Sequence, residues 1–198
     1  MFPPLSLLFK NDTVSLLKTL SDPIMSAAIK KYDSFTRTLH WLIALIIFTM
    51  IGLGISFGYV QGTTFSTLMF IHKSLGMTVL FLMLIRFFWR LTFMRVPPHG
   101  PHFSPTNIKI AHIAHTLLYL CLFIQPVTGW LGSSLLGYPV PFWGINLALP
   151  LSLQPEVATW MLDVHGVTVW VLSGLILLHI LGVIIHTCKK EKIIQRML

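Results

Sequence analysis

A chain of 198 residues that is 55% hydrophobic and only 10% charged, with a mean hydropathy of +0.78, is not an ordinary soluble protein. Its formal charge of +8 comes from 14 lysines and arginines against 6 acids. These flank apolar runs instead of striping a polar surface, which excludes a nucleic-acid partner and points to membrane topology. Cys121 and Cys188 both lie inside apolar runs, so they give no disulfide framework, no zinc knuckle and no C-x-x-C-H attachment site.

The expected organisation is a poorly ordered N-terminal extension over residues 1–30, followed by one four-helix transmembrane domain over 31–198. The spans fall at about 37–59, 68–91, 110–133 and 161–188, each close to the ~20 apolar residues needed to cross a bilayer core. The extension is broken by Pro3, Pro4 and Pro23 and lacks the basic start, apolar centre and cleavage site of a signal peptide. Met25 opens a second plausible start, so residues 1–24 are expected to be dispensable or misassigned, a point that mass spectrometry of the mature N-terminus would settle.

Span one follows Asp33 and Ser34, which can cap a helix, and carries His40 as its ionisable residue. Span two opens with His72 and Lys73 and closes with Arg86 and Arg90. A Pro-rich connection containing His99 and His102 cannot be helix interior. Span three starts with His112 and His115, and Pro126 in its last third predicts a kink or an early end. The stretch from Gly137 to Asp163 is too interrupted to span and is expected to lie at the interface, with Trp143 and Trp160 as anchors.

Span four holds 25 residues, Val164 to Cys188, without Asp, Glu, Lys or Arg, yet with three histidines. His165 and His179 are 14 residues apart, which is ~21 Å along a helix and close to four whole turns. Both imidazoles therefore share a face, one near each membrane surface. Ionisable groups at such depth are costly and mark function.

Basic residues set the orientation. Lys30, Lys31 and Arg37 precede span one; Arg86, Arg90, Arg95 and Lys109 surround the middle connection; Lys189, Lys190, Lys192 and Arg196 follow span four. The other connections hold only Lys73, so both termini are expected on the cytoplasmic side of a bacterial inner membrane. His72 and His165 then lie at the outer ends of their spans, and His40 and His179 toward the inner ends.

A low-spin b-type haem needs two axial imidazoles on facing helices beside an apolar slot. Depth matching pairs His72 with His165 and His40 with His179, which makes two non-covalent haem b sites per chain joined by span four. Gly76, Ala44 and Gly182 lie one turn from ligands and leave room for a flat ring. Each histidine taken singly also reads as a hydrogen-bonded packing residue, but the four arranged in two layers favour the haem reading. His115 reads as a contact to propionate or quinone, as does His112, and His186 as an interfacial group. Arg37, Arg86, Lys109 and Lys73 read first as topology and snorkelling, and otherwise Lys73 and the inner arginines read as charges that neutralise haem propionates. The fold class is thus an all-α membrane protein, a four-helix up-down bundle with haem b between helices. A rival of another class is a metal-ion transporter with a histidine-lined path, against which the lack of intramembrane acids argues.

The segments TLHWLIA at Thr38–Ala44, IHKSLGMTVLFLMLIRFFWRL at Ile71–Leu91, AHIAHTLLYL at Ala111–Leu120, P-x-x-GWL at Pro126–Leu131 and FWGINLALP at Phe142–Pro150 occur in that order. With LDVHG, LILLHI and the ending IIQRML, they make the chain from about Lys31 onward resemble the bacterial cytochrome b561 family, relatives of the cytochrome b subunits of nickel-iron hydrogenases. The resemblance implies a four-helix di-haem cytochrome that exchanges electrons with ubiquinone or another quinone, in some members linked to superoxide. It places the family's ligands on His40, His72, His165 and His179. Where family members often carry two adjacent histidines, this chain has Ile185 and His186. A membrane anchor relaying electrons for a partner oxidoreductase is the neighbouring reading. The expected partners are the lipid bilayer, quinone and a redox partner of unknown identity, with a homodimer left open.

Overall fold

The computed structural model describes residues 31–94, 97, 104–191 and 193–198. The extension expected over 1–30 lies outside the described residues, as do Arg95, His99, His102 and Lys192. Among the described residues, four helices are long and apolar enough to cross a membrane: α1 (Ser34–Ser56), α2 (Gly62–Thr92), α3 (Pro105–Leu135) and α4 (Pro155–Cys188). They form an all-α bundle in which α1 packs along α2, α2 along α3 and α3 along α4.

Helix starts follow from local chemistry. Asp33 caps α1, its carboxylate oxygens accepting from the Thr36 amide at 2.8 Å and the Thr36 hydroxyl at 2.6 Å. Burial pushes the Asp33 carboxyl up, but the Thr36 hydrogen bonds outweigh it and hold it below the ordinary carboxylate value. A carboxyl lowered in the folded state contributes stability above its unfolded pKa and loses it as pH falls through the folded one. Replacing Asp33 by alanine is expected to cost about 1 kcal/mol, read as an earlier thermal unfolding midpoint in detergent; an unmoved midpoint would show the cap to be idle.

Helices α3 and α4 begin earlier than the pattern of apolar residues suggests, at Pro105 and Pro155 instead of about 110 and 161. The cause is the same in both. Proline in the first turn loses no hydrogen bond, since that amide has no partner there, so a residue read as a breaker serves as a start. Ser104 completes the α3 cap by accepting from the Asn107 amide at 3.2 Å. Helix α3 also runs unbroken through Pro126. The Thr128 hydroxyl donates to the carbonyls of Ile124 at 2.8 Å and Gln125 at 3.1 Å beside it.

The connection between α3 and α4 is more ordered than a surface loop. Pro141–Phe142 (β1) pairs antiparallel with Ile145–Asn146 (β2) around Trp143 and Gly144, both at positive φ. Ser74, fully buried on α2, donates to the Pro141 carbonyl at 3.2 Å and accepts from the Trp143 amide at 3.3 Å. Trp143 Nε1 adds a bond to the Thr78 hydroxyl at 3.0 Å. Trp143 is thereby tied to α2, while Trp160, expected in the interfacial stretch, stands exposed inside α4.

The packed core lies between α1, α2 and α3, around Ile43, Ile46, Val79 and Met83, with a second cluster of Met77, Leu80 and Val140 under the hairpin. Helix α4 contributes little to it, burying only Ala158, Thr168 and Leu172. It leans on α3 instead. A Cβ on Gly132 would meet the Leu162 side chain at 2.8 Å, so glycine is what lets the two helices approach. Neither α1 nor α2 makes extended backbone contact with α4.

Candidate functional site

The separation of α4 from α1 and α2 is bridged by imidazoles. His72 on α2 faces His165 on α4 with ring centres 6.4 Å apart and planes at 71°. His40 on α1 faces His179 on α4 at 6.3 Å and 70°. The two pairs have nearly the same geometry, and α4 is one unbroken helix between its two histidines. Their spacing along it is the ~21 Å that 14 residues give.

The surroundings of His165 fix its chemistry. Its Nδ1 lies 2.8 Å from the Gln125 carbonyl, which can only accept, so Nδ1 carries the proton and Nε2 keeps a free lone pair. The ring lies against Gly129, where an added Cβ would fall 2.9 Å from Cε1 and 3.0 Å from Nδ1. His72 packs edge-on to Phe57 at 5.3 Å, and its Nδ1 is buried with no protein partner. Buried polar atoms are seldom left so, and one on an imidazole leaves a donor or acceptor for something else. Near His179, an added Cβ on Gly182 would meet nothing within 4 Å, whereas one on Gly76 near His72 would touch Met50 at 3.6 Å.

The remaining expected residues fall around these pairs. His115 on α3 lies 5.3 Å from His179, closer than His40 does. The Lys73 ammonium donates to the Ser133 hydroxyl at 2.7 Å and the Pro139 carbonyl at 3.1 Å, and lies 5.9 Å from the Tyr138 ring centre. Two of its three donors are therefore engaged at the end of α3. Arg37 donates to the Leu198 carbonyl, and Trp41 Nε1 to the Met197 carbonyl at 2.8 Å, so the last residues fold back over the start of α1. His186 pairs with Glu191 at 2.5 Å beyond the end of α4.

Sequence reasoning missed Gln125, Gly129 and Phe57. Gln125 acts through its backbone carbonyl, which no residue type advertises. Gly129 lies four residues past Gln125 on α3, and only the fold brings it to His165.

Metal–imidazole bonds run about 2 Å, and the step from nitrogen to ring centre adds about half as much, so two imidazoles around one metal stand about 6 Å apart. Both pairs meet that spacing. Among the described residues no group of three or more His, Cys, Asp or Glu is arranged to hold a metal ion. Two ligands alone suit a metal that brings its own equatorial ligands, which is the condition of haem iron.

A membrane-crossing helical bundle with two facing imidazole pairs is compatible with the class of integral membrane cytochromes. The comparison of sequences narrows the class. The chain belongs to the prokaryotic cytochrome b561 family, whose model matches residues 31–198. It is 28% identical over 176 residues to cytochrome b561 homolog 2 of Escherichia coli K12, an alignment covering 85% of this chain and 92% of that protein. It is 29% identical over 100 residues to the probable superoxide oxidase CybB of Yersinia pestis, covering 50% of this chain and 56% of that relative. The protein is therefore a multi-pass bacterial membrane protein of haem b electron transfer.

Proposed function

We propose that the chain binds two haem b groups and carries single electrons across the bacterial inner membrane between quinone and a partner on the outer side. The observation that carries this is the near-identical spacing of two histidine pairs, 6.4 and 6.3 Å, on opposite ends of one helix. His72 and His165 would hold the outer haem, and His40 and His179 the inner one. Haem iron supplies the one-electron chemistry; the protein supplies ligation, burial and nearby charge.

Each residue then has a task. The Gln125 carbonyl holds His165 as the Nδ1–H tautomer and leaves the Nε2 lone pair available to bind iron. His115, beside His179, is assigned to a propionate or to quinone near the inner haem. Lys73, with one donor unengaged, and Arg37 hold positive charge close to the outer and inner sites in turn. The basic residues before α1 and after α4 support cytoplasmic termini.

One relative is named a probable superoxide oxidase, which brings superoxide into view as an electron donor at the outer haem. A second reading, an anchor that relays electrons for a partner oxidoreductase, differs in one respect. It requires a co-purifying redox subunit, where the primary reading requires the purified chain alone, or as a homodimer, to exchange electrons with ubiquinol.

A reduced-minus-oxidised spectrum with haem quantification on the purified protein tests the core of the proposal. A b-type spectrum with two haems per chain is expected. One haem would remove one of the two sites, and no b-type band would sink the reading.

A further inference from the structure

Two arginines one turn apart near the C-terminal end of α2, Arg86 and Arg90, enclose a tyrosine of α3. Arg86 Nε donates to Tyr119 Oη at 3.0 Å, and its Nη1 donates to the Thr36 carbonyl, also at 3.0 Å. The Arg90 guanidinium lies 5.5 Å from the centre of the Tyr119 ring. Every one of these acceptors is neutral. No carboxylate among the described residues lies within ion-pair distance of either arginine.

Like charges four residues apart on a helix repel, and cations at membrane depth seldom stand without a counter-charge or a functional role. Arg86 uses two of its five N–H groups in these bonds, and Tyr119, whose oxygen accepts from Arg86, keeps its own proton to donate. The cluster is thus rich in donors and poor in negative charge. It also lies next to the inner histidines. Thr36 is four residues before His40, so the carbonyl that Arg86 holds is the one that accepts the His40 amide in the helical ladder. Tyr119 is four residues after His115, on the turn that follows it in α3.

We propose that Arg86, Arg90 and Tyr119 form an oxyanion site whose occupant is a propionate carboxylate of the inner haem. The proposal rests on the haem reading above. Guanidinium groups suit it because their planar donors match a carboxylate in pairs. Arg86 is then a positioning residue that also sets potential, since a positive charge beside the haem favours its reduced form.

The test is a potentiometric titration of both haems in the loaded full-length protein. Arg86→Gln is expected to shift the inner haem's reduction equilibrium about tenfold toward the oxidised form, about 59 mV for one electron. The outer haem should not move, and Arg86→Lys should restore most of the shift. Arg90→Gln should act in the same direction and serves if Arg86→Gln fails to fold. An unmoved inner midpoint, equal shifts in both haems, or a lysine variant no better than glutamine would overturn the proposal. Loss of bound phospholipid phosphate with an unchanged midpoint would overturn it too and give the site to a lipid headgroup. A wild-type chain without haem would instead sink the reading on which this rests.

Discussion

Replacing His179 by alanine should leave one haem per chain, and the survivor should be the outer one. In the proposed arrangement His179 is the α4 ligand at the inner level, 6.3 Å from its partner His40. Removing one of two axial imidazoles leaves the iron with a single protein bond, and the methyl group of alanine offers no substitute. The outer pair, about four turns away along α4, keeps both its ligands and the Gln125 carbonyl that orients His165. Haem quantification should fall from two to one, with the residual spectrum matching the outer component. Retention of both haems would show that the pairing is wrong, and His115, 5.3 Å from His179, would become the first suspect as ligand.

Replacing Gly129 by valine should remove the outer haem without touching any ligand. The ring of His165 occupies the place where the new Cβ would stand, 2.9 Å from Cε1 and 3.0 Å from Nδ1. The backbone of α3 cannot retreat easily, because Gly132 one turn on is already packed against Leu162 and the Ala158 carbonyl. The imidazole must therefore swing away, and its bond to the Gln125 carbonyl breaks with it. Losing an outer-shell partner of this kind typically costs 10- to 100-fold in metal affinity, and displacing the ligand itself should cost more. Gly129→Ala should show the milder loss, and Gly58→Ala, where a Cβ meets only an ordinary contact at 3.8 Å, should show none. Full outer-haem occupancy in the valine variant would mean that His165 does not lie against Gly129.

How much of this was legible beforehand depended on the kind of signal. Histidines inside apolar runs stand out because burial of ionisable groups is costly, and a 14-residue interval on a helix fixes a common face whatever surrounds it. Thus the two levels of His40, His72, His165 and His179 could be read before any coordinates. The four spans were legible for the same reason, but their starts were not. Pro105 and Pro155 carry opposite meanings in the first turn and in the middle of a helix, and only the backbone decides which applies. The hairpin at Pro141–Asn146 was also hidden, since two of its three hydrogen bonds to α2 run to Ser74, more than sixty residues earlier, and the third to Thr78. Lys73 and Arg37 show the limit from the other side. Their charge and depth were plain, but the partners they found, the Ser133 hydroxyl and the Pro139 and Leu198 carbonyls, come from segments that only the fold brings near.

The uneven packing of α4, close along α3 and apart from α1 and α2, bears on how the molecule is assembled. A helical pair joined through Gly129 and Gly132 can form as soon as both spans are in the bilayer, and so can the core shared by α1, α2 and α3. On the remaining side the ties are the bonds of Arg37 and Trp41 to the last residues and the two facing imidazole pairs, which in the proposed arrangement a bound haem would join. A ligand that binds only the closed form stabilises it in proportion to its affinity and concentration. In the proposed arrangement, folding is therefore linked to haem supply, and chains made when haem is scarce would hold α4 less firmly against α1 and α2.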